Sequence, residues 1–209
     1  MPTYLDVHAR EVADALGVHA SITLRHHGAT VRVASSSDRA ALCDQAEARS
    51  EDGPCIVAMS SLRAVTIPDL AAERRWPAWS RTTRDAGFTA VVAVPASVEP
   101  TTAVALNLYL DPGRTWTQQD AAHARARVTS LAEDVIDRLA AAATLPAVPA
   151  ADEELGTAGR IDQAVGVLMQ ANGCDARTAR ALLDLVAARH DRDVADVAAF
   201  LITAVGGRL

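Results

Sequence analysis

The chain has 209 residues, of which half are hydrophobic and only 3% aromatic, and its formal net charge is −6. This length gives room for one large domain or two small ones, at roughly 100–200 residues each. All 20 basic residues are Arg, which excludes the Lys-dependent phosphate loop G-x-x-x-x-G-K-[ST]. The three cysteines are widely spaced and odd in number, so neither a disulfide framework nor a zinc site is expected.

Targeting and membrane segments are not expected. Asp6 and Glu11 lie where a secretory signal peptide needs an apolar run. No segment approaches the roughly 20 uninterrupted apolar residues of a membrane-spanning helix. We therefore expect a cytoplasmic protein with no membrane contact.

The first two thirds of the chain mix helical and alternating hydrophobic patterns. In chain order they predict a helix over 4–16, a hairpin over 21–33 that turns at His27 and Gly28, helices over 38–49 and 74–86, strands over 89–94 and 103–110, and a helix from about 117 to 143. Thr117 and Asp120 have the spacing of a capping box for the last helix. Cys55, after the break at 51–54, is expected to begin a buried strand and to carry a buried thiol. This layout is typical of an α+β domain, with one antiparallel sheet and flanking helices.

A linker is predicted at residues 145–157, LPAVPAADEELGT, where Pro, Ala and acidic residues are concentrated. The expected domains are therefore residues 1–144 and residues 158–209.

The last domain contains three short amphipathic helices in quick succession. In the first of them Ile161, Ala164, Val165 and Leu168 recur at helical spacing, and short connections bring three such faces onto one core. A DNA-reading helix-turn-helix is an alternative, but the third helix, Val194–Val205, lacks a basic outer face. That predicted outer face consists of Ala195, Asp196, Ala199, Phe200, Thr203 and Ala204.

The last domain also contains short sequence motifs that helical spacing alone does not explain. The string I-x-Q-A-x-G-V-L-M is followed by a Gly-Cys turn, then by A-x-x-L-L and a closing D-V-A. This order resembles the ANTAR domain, the RNA-binding output module of bacterial antitermination regulators. The runs at 44–55 (DQAEARSEDGPC), 74–79 (RRWPAW) and 105–109 (ALNLY) are similar to the GAF domain that precedes ANTAR in actinobacteria-type regulators.

The ANTAR resemblance implies binding of RNA stem-loops whose formation prevents a terminator. Phosphates and loop bases need cationic and amide donors on a rigid surface. The candidate RNA-binding residues are Arg160, Gln163, Gly166, Arg177, Arg180 and Arg189.

Two positions depart from the family pattern. Val165 stands where a basic residue is common, and Arg180 stands where an aromatic is frequent and can pair with Asp184 at i+4. From residue 157 onward six Arg are matched by six Asp. RNA affinity therefore has to come from charge placement rather than from net charge.

No catalytic residue, metal site or cofactor is predicted, because neither H-E-x-x-H nor G-x-S-x-G occurs. The GAF resemblance implies a pocket for a small molecule, although some GAF domains only dimerise. Trp76 and Trp79, at i and i+3, are the candidate ligand-binding residues, and core packing is the alternative for both.

The sequence thus predicts a non-enzymatic regulator: a GAF-like sensor or dimerisation domain followed by a three-helix ANTAR-like domain that binds structured RNA. The helix over 4–16 and the apolar stripe over 128–139 have faces broad enough to form a homodimer. The alternative is a regulator that does not bind RNA and whose tail contacts a protein partner.

Overall fold

The computed structural model describes residues 3–143 and 153–205. Its elements follow in this order: α1 (Tyr4–Leu16), β1 (His19–His26), β2 (Ala29–Ser35), α2 (Asp38–Ser50), α3 (Pro54–Ser61), β3 (Val65–Ile67), α4 (Pro77–Asp85), β4 (Ala90–Glu99), β5 (Thr102–Leu110), α5 (Gln118–Ala143), α6 (Glu153–Asn172), α7 (Ala176–Arg189) and α8 (Val194–Val205). We call α1 to α5 with their strands the first domain, and α6 to α8 the tail.

A five-stranded antiparallel sheet, ordered β2-β1-β5-β4-β3, forms the centre of the first domain. The predicted hairpin is present, and His27 and Gly28 both have positive φ at its turn, as a two-residue hairpin loop requires. Strands β4 and β5 run further than predicted, pairing from Ala90 with Leu110 to Glu99 with Thr102. The sheet therefore has the expected antiparallel layout with a tighter final turn.

The two faces of the sheet have different chemistry because successive strand side chains point to opposite sides. Ile22 and Leu106 belong to the apolar face, which packs with α1 and α5. Tyr109 and Asn107 belong to the opposite face, covered by α2, α3 and α4, where apolar side chains surround several buried polar groups. The sheet is thus enclosed by helices on both sides.

Helix α3 replaces the buried strand that was predicted to begin at Cys55, so that prediction is wrong. Pro54 occupies the start of the helix, where a missing N–H costs nothing. Glu47 of α2 then accepts hydrogen bonds from the free backbone N–H groups of Cys55 (2.6 Å) and Ile56 (3.2 Å). This long-range cap favours the helix. The Cys55 thiol is nevertheless buried, as predicted.

The tail packs directly on the first domain. Helix α6 begins at Glu153, inside the segment predicted as a linker, and residues 145–152 lie outside the described residues. Helix α6 lies along β2, and α8 lies against α5. Residues of both domains belong to one apolar cluster, which we call the shared core; it includes Leu24, Val33, Val135, Leu168, Leu183 and Leu201.

Polar contacts between the domains surround the shared core. Arg32 of β2 donates to the backbone oxygen of Ala41 and to Oδ1 of Asn172 in α6 (2.7 Å). The Tyr4 hydroxyl donates to the backbone oxygen of Ala204 in α8 (2.6 Å). These bonds fix the tail on the edge of the sheet and the start of α1.

Helix α8 corrects the outer face expected from the sequence. Phe200 and Ala204 were placed on that face, yet both are buried. The Phe200 ring stacks on His26 with centroids 4.1 Å apart and an interplanar angle of 6°. The expectation was wrong because the first domain covers a side of α8 that a lone three-helix domain would expose.

The shared core predicts that damage to the tail lowers the stability of the first domain. Leu168 in α6 is 1% exposed, and truncation of such a side chain costs about 2–5 kcal/mol. All three tryptophans, at 76, 79 and 116, lie in the first domain. In Leu168→Ala we expect the urea midpoint read by tryptophan fluorescence to fall together with that read by circular dichroism. The control Leu62→Ala, at a residue 53% exposed, should change little. An unchanged fluorescence midpoint in Leu168→Ala would show that the domains unfold independently.

The buried Glu47 predicts a second effect, on the pH dependence of stability. Burial and the nearby Asp44 raise the pKa of Glu47 to about 8. The neutral Glu47 side chain therefore contributes its full stabilisation below pH 4.5, the pKa of this group in the unfolded chain. This contribution is lost as pH rises through the folded-state pKa of about 8. The wild type should therefore lose roughly 2–5 kcal/mol of unfolding free energy between pH 5 and 9. Glu47→Gln keeps an acceptor oxygen for α3 and removes the charge, so this variant should not show the loss.

Urea titrations of both proteins across this range measure the difference. Glu133 is exposed on α5, and Glu133→Gln should leave the wild-type pH profile unchanged. Parallel profiles for wild type and Glu47→Gln would contradict the assignment of this titration to Glu47.

Candidate RNA-binding surface and interdomain cavity

Helix α6 presents the candidate RNA-binding residues of its sequence to solvent. Arg160, Gln163 and Gly166 are all exposed. Gln163 and Gly166 lie on the side of the helix opposite Ala164 and Leu168, which are buried in the shared core. Arg160 flanks this outward side one turn earlier. The structure thus brings these three candidates together on one accessible strip.

Helix α7 separates the other three candidates onto two sides. Arg177 and Arg180 lie on an outward side with Asp184, whereas Arg189 lies with Thr178 on the side that faces the first domain. The Arg180 Nε is 2.9 Å from Asp184 Oδ1, which is the pairing that the sequence allowed. Within the described residues, Arg160 and Arg177 form no ion pair.

Arg189 is held by the first domain. Its guanidinium lies 2.6 Å from Oε1 of Glu51, at the end of α2. Both side chains are partly exposed, so the pair contributes little to stability. It does orient the Arg189 side chain toward the first domain instead of toward solvent.

Val165, the departure from the family pattern, is buried. It belongs to the shared core together with Leu168. A charged side chain here would lose its hydration on burial, at a large cost in free energy. The apolar residue at this position is therefore explained by its burial in the shared core.

A cavity of about 600 Å³ lies between the tail and the first domain. The β1–β2 hairpin and α2 line one side, and α6 and α7 line the other. Sequence reasoning did not find this cavity, because residues from six separate elements form it. The only local signal was the second apolar stripe of α7, which includes Leu182, Leu185 and Val186.

Trp76 and Trp79, the candidate ligand-binding residues, do not line this cavity. They pack edge to face at 6.1 Å in an apolar cluster with Phe88 and Tyr109, on the other face of the sheet from α1. The Trp76 indole donates to Asp52 Oδ1 (2.8 Å). The structure therefore places both rings in a packed core.

A cluster of buried polar groups lies beside these rings. Asp44 Oδ1 accepts hydrogen bonds from the Tyr109 hydroxyl (2.6 Å) and from Asn107 Nδ2 (3.2 Å). Burial raises the pKa of Asp44 above its ordinary value. Burial likewise raises the pKa of the Cys55 thiol and that of the Cys43 thiol, the latter to about 12. Thiols with raised pKa values are poor nucleophiles.

The described residues contain no group of three His, Cys, Asp or Glu side chains arranged to hold a metal ion. In residues 3–143 and 153–205 no helix combines the length and apolar character needed to cross a membrane.

Comparison with solved structures identifies the fold of the first domain. GAF3 from Slr1393 of Synechocystis sp. PCC6803, in its photoproduct state, superposes with a TM-score of 0.55 at 13% identity, covering 68% of this chain and 98% of that one. A domain described as part of a two-component sensor histidine kinase protein from Sinorhizobium meliloti 1021 gives 0.52 at 16% identity, covering 66% and 92%. Identities this low show the fold alone, which is GAF-like.

Comparison of sequences identifies the tail. No curated protein matches the chain. Residues 150–202 match the family model of the ANTAR domain, and this range includes α6 and α7 and most of α8. Residues 150–202 are therefore an ANTAR domain, and they follow a domain of GAF-like fold.

Proposed function

We propose that this protein is a transcription antitermination regulator of the actinobacteria type, which binds RNA stem-loops through its ANTAR domain. The observation that carries the proposal is the ANTAR match, together with the exposed strip on α6. Arg160 and Gln163 on that strip supply a cation and an amide, the donor types that suit phosphates and unpaired loop bases. Arg177 adds a second accessible cation on α7.

The charge balance of residues 157–209, six Arg against six Asp, is compatible with this proposal. Arg180 is neutralised by Asp184, and Arg189 is engaged by Glu51. The cations left for phosphate contacts include Arg160 and Arg177, so affinity depends on their positions rather than on net charge. We expect a small number of phosphate contacts and hence a modest salt dependence.

We further propose that the first domain controls the tail, through a small-molecule signal or through dimerisation. The shared core and the Arg189–Glu51 pair support this control, because they make the position of the tail depend on the first domain. No chemical step is needed, and no residue is assigned a catalytic role.

RNA binding is tested with a labelled two-stem-loop leader RNA and a scrambled RNA of equal length. Wild type should prefer the leader RNA, with affinity falling as salt rises. Arg160→Ala should bind more weakly, and the slope of log K against log salt should fall by about one unit, because one phosphate contact is lost. Filter binding at several salt concentrations measures both quantities.

Two controls separate a specific contact from a general effect of charge. Arg81→Ala removes an exposed cation from α4, on the far side of the sheet, and should leave the salt slope unchanged. Arg180→Ala should have a small effect because Asp184 already pairs with that guanidinium. A folded protein with no preference for the leader RNA would favour a tail that contacts a protein partner.

We also propose a homodimer formed through α1 and α5. His8 Nε2 lies 3.1 Å from Asp134 Oδ2, so the two helices run side by side. On the same two helices Val7 and Ile136 are 45% and 39% exposed, and their burial against a partner would be favoured by the apolar area removed from water.

Light scattering at increasing concentration tests the dimer. Wild type should reach twice the mass of one chain, and Val7→Glu with Ile136→Glu should shift the equilibrium to the monomer, because the contact would bury unpaired charges. Leu62→Glu alters another exposed apolar residue, on the opposite face of the sheet, and should remain dimeric. A wild-type monomer at high concentration would remove this part of the proposal.

A further inference from the structure

We propose that the cavity between the first domain and the tail is a binding site for an apolar organic anion. The cavity volume, about 600 Å³, lies in the range of sites that hold small organic ligands. This proposal names the site and the chemical class of the ligand for the control of the tail proposed above. Its biological role rests on that earlier proposal.

One side of the cavity is apolar and belongs mainly to the tail. Leu182, Leu185 and Val186 of α7 line it, and Val31 and Ile56 of the first domain extend it. Leu182 and Val186 are only half-buried, and Leu185 is exposed. An apolar ligand body that covered these side chains would be favoured by the area removed from water.

The other side of the cavity is cationic. Arg25, Arg32 and Arg49 line it, and among the described residues none of the three is ion-paired. Arg25 donates to the Ser60 hydroxyl (2.7 Å) and Arg49 is exposed. Three guanidinium groups beside an apolar wall favour an anionic head group on an apolar body.

Two deeply buried polar groups at the inner end of the cavity have unused bonding capacity. Arg32 and Asp44 line the cavity while only 6% and 5% exposed. Within the described part of the chain, neither Arg32 Nε nor Asp44 Oδ2 has a hydrogen-bond partner. Buried polar atoms without partners cost free energy, and an acceptor oxygen of a ligand head group would satisfy the Arg32 Nε donor.

The acidic side chain of Asp44 also lines the cavity, and its surroundings reduce its repulsion of an anion. Its Oδ1 already accepts two hydrogen bonds, from Tyr109 and Asn107. Burial raises the pKa of Asp44, which favours its neutral form. Arg32 Nε is then the buried donor that a head group would meet.

An occupant of this cavity would contact both domains at once. The apolar wall is mainly α7, whereas the cationic wall is β1, β2 and α2. A ligand that needs both walls binds the docked arrangement and stabilises it. The same arrangement holds Arg189 on Glu51, so the ligand would keep that candidate RNA contact engaged with the first domain.

Fluorescence titration of the full chain with two matched probes tests the site. The first probe is 8-anilinonaphthalene-1-sulfonate, an apolar aromatic anion, and the second is N-phenyl-1-naphthylamine, which has the same ring system without the sulfonate. We expect one saturable site that binds the anion about tenfold more tightly, since charge-assisted hydrogen bonds are lost with the sulfonate.

Variants locate the binding. Leu182→Trp fills the apolar side of the cavity and should abolish binding of both probes, whereas Ala181→Trp adds the same ring to the outward side of α7 and should bind as wild type. The double variant Arg25→Gln with Arg49→Gln should weaken the anion about tenfold and leave the neutral probe unchanged. Circular dichroism confirms that each variant is folded.

Each contrary result overturns a stated part of the proposal. Undiminished binding in folded Leu182→Trp would show that the cavity is not the site. Equal affinities for the two probes, or an unchanged anion affinity in the double arginine variant, would overturn the anionic class. The titration contains no RNA, so its failure would leave RNA binding by the tail standing, and a failure of RNA binding would leave the cavity assignment standing.

Discussion

The wide buried face of α8 is the constraint on which the arrangement of the two domains depends. Six of the twelve residues of this helix are buried, and an apolar face of this width has to be covered. Phe200 stacks on His26 at the hairpin of the first domain, and the other buried residues of α8 include Leu201 and Val205 of the shared core. A three-helix tail alone would expose Phe200. The apolar residues of the tail therefore favour its packing on the first domain independently of the polar contacts between the domains.

Docking divides the arginines of the tail into two groups with different surroundings. Arg189 lies on the side of α7 that faces the first domain and reaches Glu51. Arg160 and Arg177 remain accessible. The same step closes the cavity, because α7 supplies its apolar wall while the hairpin and α2 supply its cationic wall. The cavity, the docking of the domains and the placement of the cations are therefore properties of one interface.

Sequence reasoning succeeded where structure is determined locally. The turn at His27 and Gly28 follows from the glycine and the alternating pattern around it. The cap of α5 is present as predicted, with reciprocal hydrogen bonds between Thr117 and Asp120. The core of the tail likewise follows from helical spacing, which depends only on the order of apolar residues.

The same reasoning failed where distant groups decide the outcome. Helix α3 depends on a cap from Glu47, which lies in the preceding helix. Val165 departs from the family pattern and is buried in the shared core, where a cation would be desolvated. The departure from the family pattern therefore lies on the inward side of α6, whereas Gln163 and Gly166, which match it, lie on the outward side. A single helix thus packs into the shared core with one side and leaves Gln163 and Gly166, two of the candidate RNA-binding residues, exposed on the other.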